Sequence, residues 1–235
     1  MTPLRVAQLT LAGVGGCVAV VALGWLSFAC VSFVGYGKIG VDRATDAVLD
    51  RFMPVYEVSE RHQTVVNAPA EFTFAAAHNF RLDESPIIRA IFRAREVILR
   101  ARSTQDSTDT LPLLEQTKRL GWGVLASESG RLVVMGAVTQ PWRADVTFRA
   151  LPPAEFAAFH EPDYVKIVWT LEAQPLTKST SIFRTITRVK TTDAQARQKF
   201  RRYWALFSPG ILLIRKESLR IVRAQAERRF VVEGY

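Results

Sequence analysis

The strongest constraint on this chain is a run from Val6 to Tyr36 that holds no charged residue and is built almost wholly of Val, Ala, Leu, Gly, Phe and Cys, bounded by Arg5 and Lys38. Crossing the hydrocarbon core of a bilayer takes about 20 such residues. The expectation is therefore one transmembrane helix within residues 1–37, with the lipid bilayer as a partner. A cleaved signal peptide would carry an apolar region of about 7–15 residues, shorter than this one, and Ser27-Phe28-Ala29 is a poor cleavage site. Lipoprotein processing at Cys17 leaves a very short preceding run, and processing at Cys30 lacks a good aliphatic residue three positions earlier. Length favours an uncleaved, single-pass anchor. Lys38, Arg43 and Arg51 against Arg5 lean the following domain toward the cytoplasmic side.

Both cysteines of the chain, Cys17 and Cys30, fall inside the apolar run, so no thiol beyond it can build a disulfide scaffold or a Cys-based zinc site. Residues 38–54 are expected as a linker, partly helical and ending at Pro54, and the remainder suits one domain better than two. A formal charge of +9 favours anionic partners and is silent on the fold.

The soluble part reads as α+β. Val58, Glu60, His62, Thr64 and Val66 share one face of a strand within 55–67. Pro69 and Glu71 then open a helix, and Ser85-Pro86 opens a second, with Ile87, Ile91 and Ile98 on its apolar stripe. Residues 103–110 form an exposed loop. Strands are expected over 121–127 and 132–139 around a turn at Gly130, a short one over 145–149, and a short helix from Pro152 to Phe159. The clearest strand follows, with Val165, Ile167, Trp169, Leu171 and Ala173 facing one way and Lys166, Thr170 and Glu172 the other. It is paired with 181–190 across a turn at 177–179. Thr192-Asp193-Ala194-Gln195 has the form of a capping box. It starts a long helix that is interrupted at Pro209-Gly210 and resumes with Ile211, Ile214, Leu219 and Val222 as its apolar stripe.

Val65-Val66-Asn67-Ala68-Pro69-Ala70-Glu71 at the first strand-to-helix junction, and Thr187-Arg188-Val189 leading into Thr192-Asp193 and the last helix, resemble the START-like (SRPBCC) superfamily. The resemblance covers about residues 55–208 and leaves 209–235 as a basic, amphipathic helical extension. It implies a helix-grip fold, in which an antiparallel sheet wraps the C-terminal helix around an apolar cavity for lipids, polyketides, hormones or aromatic substrates. On that facing, the cavity residues are His62, Trp122, Trp169, Leu171, Phe183, Thr185, Thr187, Phe200 and Tyr203.

No Gly-x-Ser-x-Gly elbow, phosphate loop or dinucleotide fingerprint occurs in the soluble part, and the widely separated His62, His78 and His160 announce no metal site. No catalytic residue, metal or cofactor is assigned. Residues 193–235 carry ten Lys and Arg against four Asp and Glu. Arg215, Lys216, Arg220, Arg223, Arg228 and Arg229 read either as an ordinary solvated face or as a surface for anionic lipid head groups. A basic helix alone does not specify nucleic-acid binding, so none is expected. The first functional reading is a membrane-tethered binding module for a hydrophobic small molecule or lipid. The alternatives are a cyclase- or dehydratase-type enzyme of the same fold, and a regulatory or assembly protein that uses the basic helix.

Overall fold

The computed structural model describes residue 20 and residues 23–37, 46–100 and 111–233. Most of the expected anchor, the first part of the expected linker and the 103–110 loop therefore lie outside the described residues. No described helix is long and apolar enough to cross a membrane. The described part of the apolar run is helical over 23–35 (α1).

Six strands form one antiparallel sheet among the described residues: β1 (Val58–Val66), β2 (Gly123–Glu128), β3 (Leu132–Thr139), β4 (Phe148–Arg149), β5 (Val165–Pro175) and β6 (Ser181–Thr191). Their order is β1-β6-β5-β3-β2, with β4 paired to β3. The helices are α2 (Ala47–Asp50), α3 (Ala70–Asn79), α4 (Pro86–Leu99), α5 (Leu113–Arg119), α6 (Pro153–Ala158) and α7 (Ala194–Glu233). The seven residues of α5 are too few to show a helical period in the sequence.

The odd-numbered residues of β5 face α7, as their alternation requires. Trp169 and Leu171 join a core with Val66, Ala76, Phe80, Phe183, Leu219 and Val222, and Val165 joins Val58, Val189, Phe200 and Trp204 further along the same face. Ser181 fixes the strand-to-helix junction from below: its Oγ donates to the Ala68 carbonyl at 2.9 Å and lies 2.7 Å from Thr73 Oγ1. Both hydroxyls are buried, so each needs the partner it has.

The opposite face of the sheet is covered as well, by residues 46–53 of the segment expected as a linker over 38–54. Asp46 caps α2 by accepting from the Val48 and Leu49 amides, and Leu49, Phe52 and Met53 are buried against Leu125, Val134, Val168, Ile186 and Phe156. Residues 46–53 thus form part of a second core. Lys166 is sealed there, donating to the Ala157 carbonyl at 2.8 Å with its ammonium 5.0 Å from the Phe156 ring centre. Burial, helped by the neighbouring Lys190 charge, pushes the Lys166 amine down to about 8.

The unfolded chain, with lysine near its ordinary 10.5, then binds more protons than the fold between about pH 8 and pH 10.5, so stability rises with pH through that window. Lys166→Met is expected to flatten this rise and to raise stability at pH 7 by about 1–2 kcal/mol, since a buried charge gives way to an apolar side chain of similar length. Urea melts from pH 7 to pH 10.5 check both, and an unchanged slope would refute the assignment.

Two features of α7 differ from expectation. Asp193, not Thr192, caps it: Asp193 Oδ1 accepts from the Ala196 amide at 2.7 Å, while Thr192 Oγ1 binds the Tyr164 backbone. The Ala196 and Asp163 amides hold the Asp193 carboxyl below its usual range. The helix also continues through Pro209 rather than breaking. Proline removes one intrahelical bond, the one its amide would make to the Ala205 carbonyl, and the neighbouring Leu206 carbonyl accepts from Trp25 Nε1 at 2.9 Å. Beyond Pro209 the stripe of Leu219, Val222 and Ala226 is buried in the main core, and Phe230 packs edge-on to Phe72. Residues 209–233 are therefore packed on the domain, with Glu227 accepting from the Asn67 amide at 3.0 Å.

Candidate functional site

The face of the sheet under α7 gathers polar side chains at its centre. Antiparallel pairing sets Glu60 opposite Thr187 and His62 opposite Thr185, and Trp169 lies opposite Thr187 from the other side. Four polar side chains thus share one patch of the core-facing surface, because successive residues on one face of a strand are two apart. His62 Nε2 lies 3.5 Å from Glu60 Oε2 and has no hydrogen-bond partner although it is enclosed.

Arg215 descends onto this patch from α7. Its guanidinium donates to Thr185 Oγ1 at 3.4 Å and to Thr187 Oγ1. The residue keeps some accessible surface, yet its Nε is enclosed and makes no hydrogen bond. Burial lowers the guanidinium to about 10, and the Glu60 carboxylate partly opposes the shift. It remains charged at neutral pH. The centre is thus a cation with donor capacity to spare, two hydroxyls, a histidine and a carboxylate, walled by tryptophan.

The expected cavity residues divide into groups. His62, Thr185 and Thr187 gather with Arg215, and Trp169 flanks them with Trp122 edge-on at 6.2 Å. Trp122 in turn packs on Phe148 at 5.0 Å. Leu171 and Phe183 lie in the main core beneath α3, and Phe200 and Tyr203 lie near the start of α7, beside Tyr36 and Trp204. Two clefts, of about 400 and 370 Å³, are lined by α7 residues from Ala194 to Arg202 and by residues 33–37, away from the patch.

Arg215, expected on a solvated or lipid-facing basic surface, instead points at the sheet. Four residues after Ile211 and four before Leu219, Arg215 falls on the stripe that packs against the sheet, and that spacing was the signal for it. Glu60 carried the same signal, lying on a strand face shared with Val58 and Val66. Of the other basic residues, Arg220 pairs with Glu217, Arg223 with Glu227 and Arg229 with Glu233. Arg228 donates to the Ala224 carbonyl, and Lys216 is exposed.

No family model matches the sequence, and no curated protein does. Among solved structures the chain is similar to the Zhui aromatase/cyclase from Streptomyces sp. R1128, with 13% identity, coverage of 73% of this chain and 94% of that one, and a TM-score of 0.26. It is similar to the di-domain aromatase/cyclase BexL of the BE-7585A biosynthetic pathway, with 12% identity, 72% of this chain, 46% of that one and a TM-score of 0.27. A protein of Thermus thermophilus matches with 9% identity, 76% of this chain, all of that one and a TM-score of 0.26. The chain spans less than half of BexL. At these scores the likeness carries no functional argument.

Proposed function

We propose that this protein is a binding module for a hydrophobic small molecule or lipid, held between the sheet and α7 of a START-like, helix-grip domain and attached to a membrane through its N-terminal apolar run. One observation carries the reading: a charged arginine, with an enclosed and unpartnered Nε, is aimed at two threonine hydroxyls in the middle of an apolar face. A buried ion pair or buried charge is a poor way to stabilise a core, so Arg215 is explained by what it holds. A ligand with an apolar body and one carboxylate, carbonyl or similar acceptor would satisfy the guanidinium that the threonines satisfy in its absence. The tryptophans would lie against the apolar body.

The test is native mass spectrometry of the full chain released from detergent, together with the Arg215→Met variant. A retained apolar mass on the wild-type protein, reduced at least tenfold in the variant, is the expected result. The variant should fold as well as the wild type or better, since removal of a desolvated charge by an apolar side chain is neutral to stabilising by about 1–4 kcal/mol. A wild-type protein that carries nothing, or a variant that keeps the full load, would reject the proposal.

A further inference from the structure

α1 is docked lengthwise on α7 instead of projecting from the domain. Trp25, Ala29, Ser32 and Tyr36 recur at helical spacing, and this stripe is the covered side of α1. Trp25 Nε1 bonds the Leu206 carbonyl, Ser208 Oγ donates to Ser32 Oγ at 3.3 Å, and Arg201 Nε donates to the Phe33 carbonyl at 2.7 Å. The other sides of α1 expose Leu23, Leu26, Val31 and Val34, all above half of their maximal area. On α7, Leu206, Gly210 and Leu213 share one stripe, and both leucines are exposed. A Cβ on Gly210 would touch Ile91 of α4 and Trp25 of α1, so this stripe lies between the two helices. The outer side of the helix layer is therefore an exposed apolar face.

Arginines stand at one end of it. Arg197, Arg201 and Arg202 line the cleft of about 370 Å³ beside Phe33. Arg201 is held by the Phe33 carbonyl and stacks 3.9 Å from the Phe33 ring centre, whereas Arg202 is exposed and Arg197 is exposed with its Nε 3.8 Å from Glu57 Oε1. An exposed apolar face bordered by cations is the composition of a surface seated at the boundary between head groups and acyl chains. Were residues 23–35 to stand upright in a bilayer, α7 would be drawn alongside them into the hydrocarbon.

We propose that this face, formed by α1 and the Leu206–Leu213 stripe of α7, lies flat on an anionic leaflet, with a lipid phosphate in the cleft between Arg197 and Arg202. The inference rests on the membrane attachment proposed above and adds to it the orientation of the domain and the charge of the lipid. In sequence, the uncharged run that starts at Val6 leads into α1, and its composition favours a bilayer over a protein partner against this face.

The test uses the full chain reconstituted in vesicles, with Cys17 and Cys30 replaced by Ser and a nitroxide on Leu213→Cys or, as the aqueous reference, on Ser179→Cys in the exposed β5–β6 turn. Collision with a water-soluble nickel chelate is compared in phosphatidylcholine alone and with one third phosphatidylglycerol. With anionic lipid the label at 213 should collide with nickel several-fold less than the label at 179. Each arginine near an anionic surface is worth about fivefold in seating, so Arg197→Gln with Arg202→Gln should restore most of the nickel access. Arg201, which holds α1, is left intact. Equal access at 213 and 179 in chains that float with the vesicles would overturn the seating while leaving attachment standing. Shielding that is identical in neutral lipid and in the double variant would overturn the phosphate site. Failure of the chain to float at all would overturn the attachment and this inference with it.

Discussion

Asp50→Ala is expected to destabilise the domain by about 3 kcal/mol, although Asp50 lies in a segment that its sequence marks as a linker. Arg188, on the sheet face turned away from α7, is buried, with 3% of its side chain accessible. Its guanidinium donates to Asp50 Oδ1 at 2.6 Å and to the Met53 carbonyl at 3.0 Å, and it stacks 4.4 Å from the Tyr56 ring centre. Removing the carboxylate leaves a desolvated cation with a carbonyl and an aromatic ring, and breaking a buried pair in this way typically costs about 3–5 kcal/mol. Asp50 keeps about a third of its side chain in water, which sets the expectation at the lower end. Arg188→Met combined with Asp50→Ala should recover most of the loss, because no uncompensated charge then remains. Equilibrium urea unfolding of the four proteins in the cycle measures this. A single-variant cost below about 1 kcal/mol would show that α2 is not fastened to the sheet through this pair.

The same segment shows where the sequence was readable and where it was not. Alternation through Val165 to Ala173 assigned β5 and its facing, because a strand buried on one side by aliphatic and aromatic residues leaves a two-residue period. Ser85 at the start of α4 was legible for a similar reason, since its cap is a local interaction. Leu49, Phe52 and Met53 were not, because four residues of helix carry no period and their partners Val168 and Ile186 are more than a hundred positions away. The capping box at Thr192 failed by one residue. Thr192 was taken by Tyr164, a tertiary contact that local pattern does not contain.

At Arg215 charge and spacing point in opposite directions. An arginine on a helix in a basic stretch reads as solvated, whereas its position between Ile211 and Leu219 put it on the buried side. Pro209 misled in the opposite direction. Proline disfavours a helix interior by about 3 kcal/mol, but here α1 and α4 pack closely on the helix at Gly210. Packing of that kind outweighs propensity. The candidate site was legible as a face, through His62, Thr185, Thr187 and Trp169. It was not legible as a constellation, because its cation comes from a helix whose register against the sheet depends on the whole fold.

Phe200→Ala should have the larger effect of the two, a loss of about 4 kcal/mol, and should also loosen α1 from the domain. Phe200 is fully buried where the first turns of α7 meet β1, β5 and β6. Its ring centre lies 5.9 Å from those of Tyr36, Tyr203 and Trp204, and the pair with Tyr36 is edge-on. Truncating a buried phenylalanine costs about 3–5 kcal/mol, from lost transfer energy together with the cavity left behind. Tyr36 depends on that packing. Its hydroxyl donates to Glu57 Oε2 at 2.6 Å, and burial followed by the Glu57 carboxylate raises its ionisation well above the ordinary tyrosine value, so it stays a neutral donor. Glu57 also accepts from Thr191 Oγ1 at 2.7 Å, which ties this joint to the end of β6. With the ring of Phe200 gone, Tyr36 loses its apolar support, and α1 retains its contacts at Trp25, Ser32 and Phe33. Amide exchange over residues 23–37 should therefore accelerate more than exchange in β5. Phe200→Leu, which fills most of the volume, should recover at least half of the stability and most of the protection. Equal acceleration in both segments would mean that the variant loosens the whole domain, and that α1 is not joined to it through this cluster.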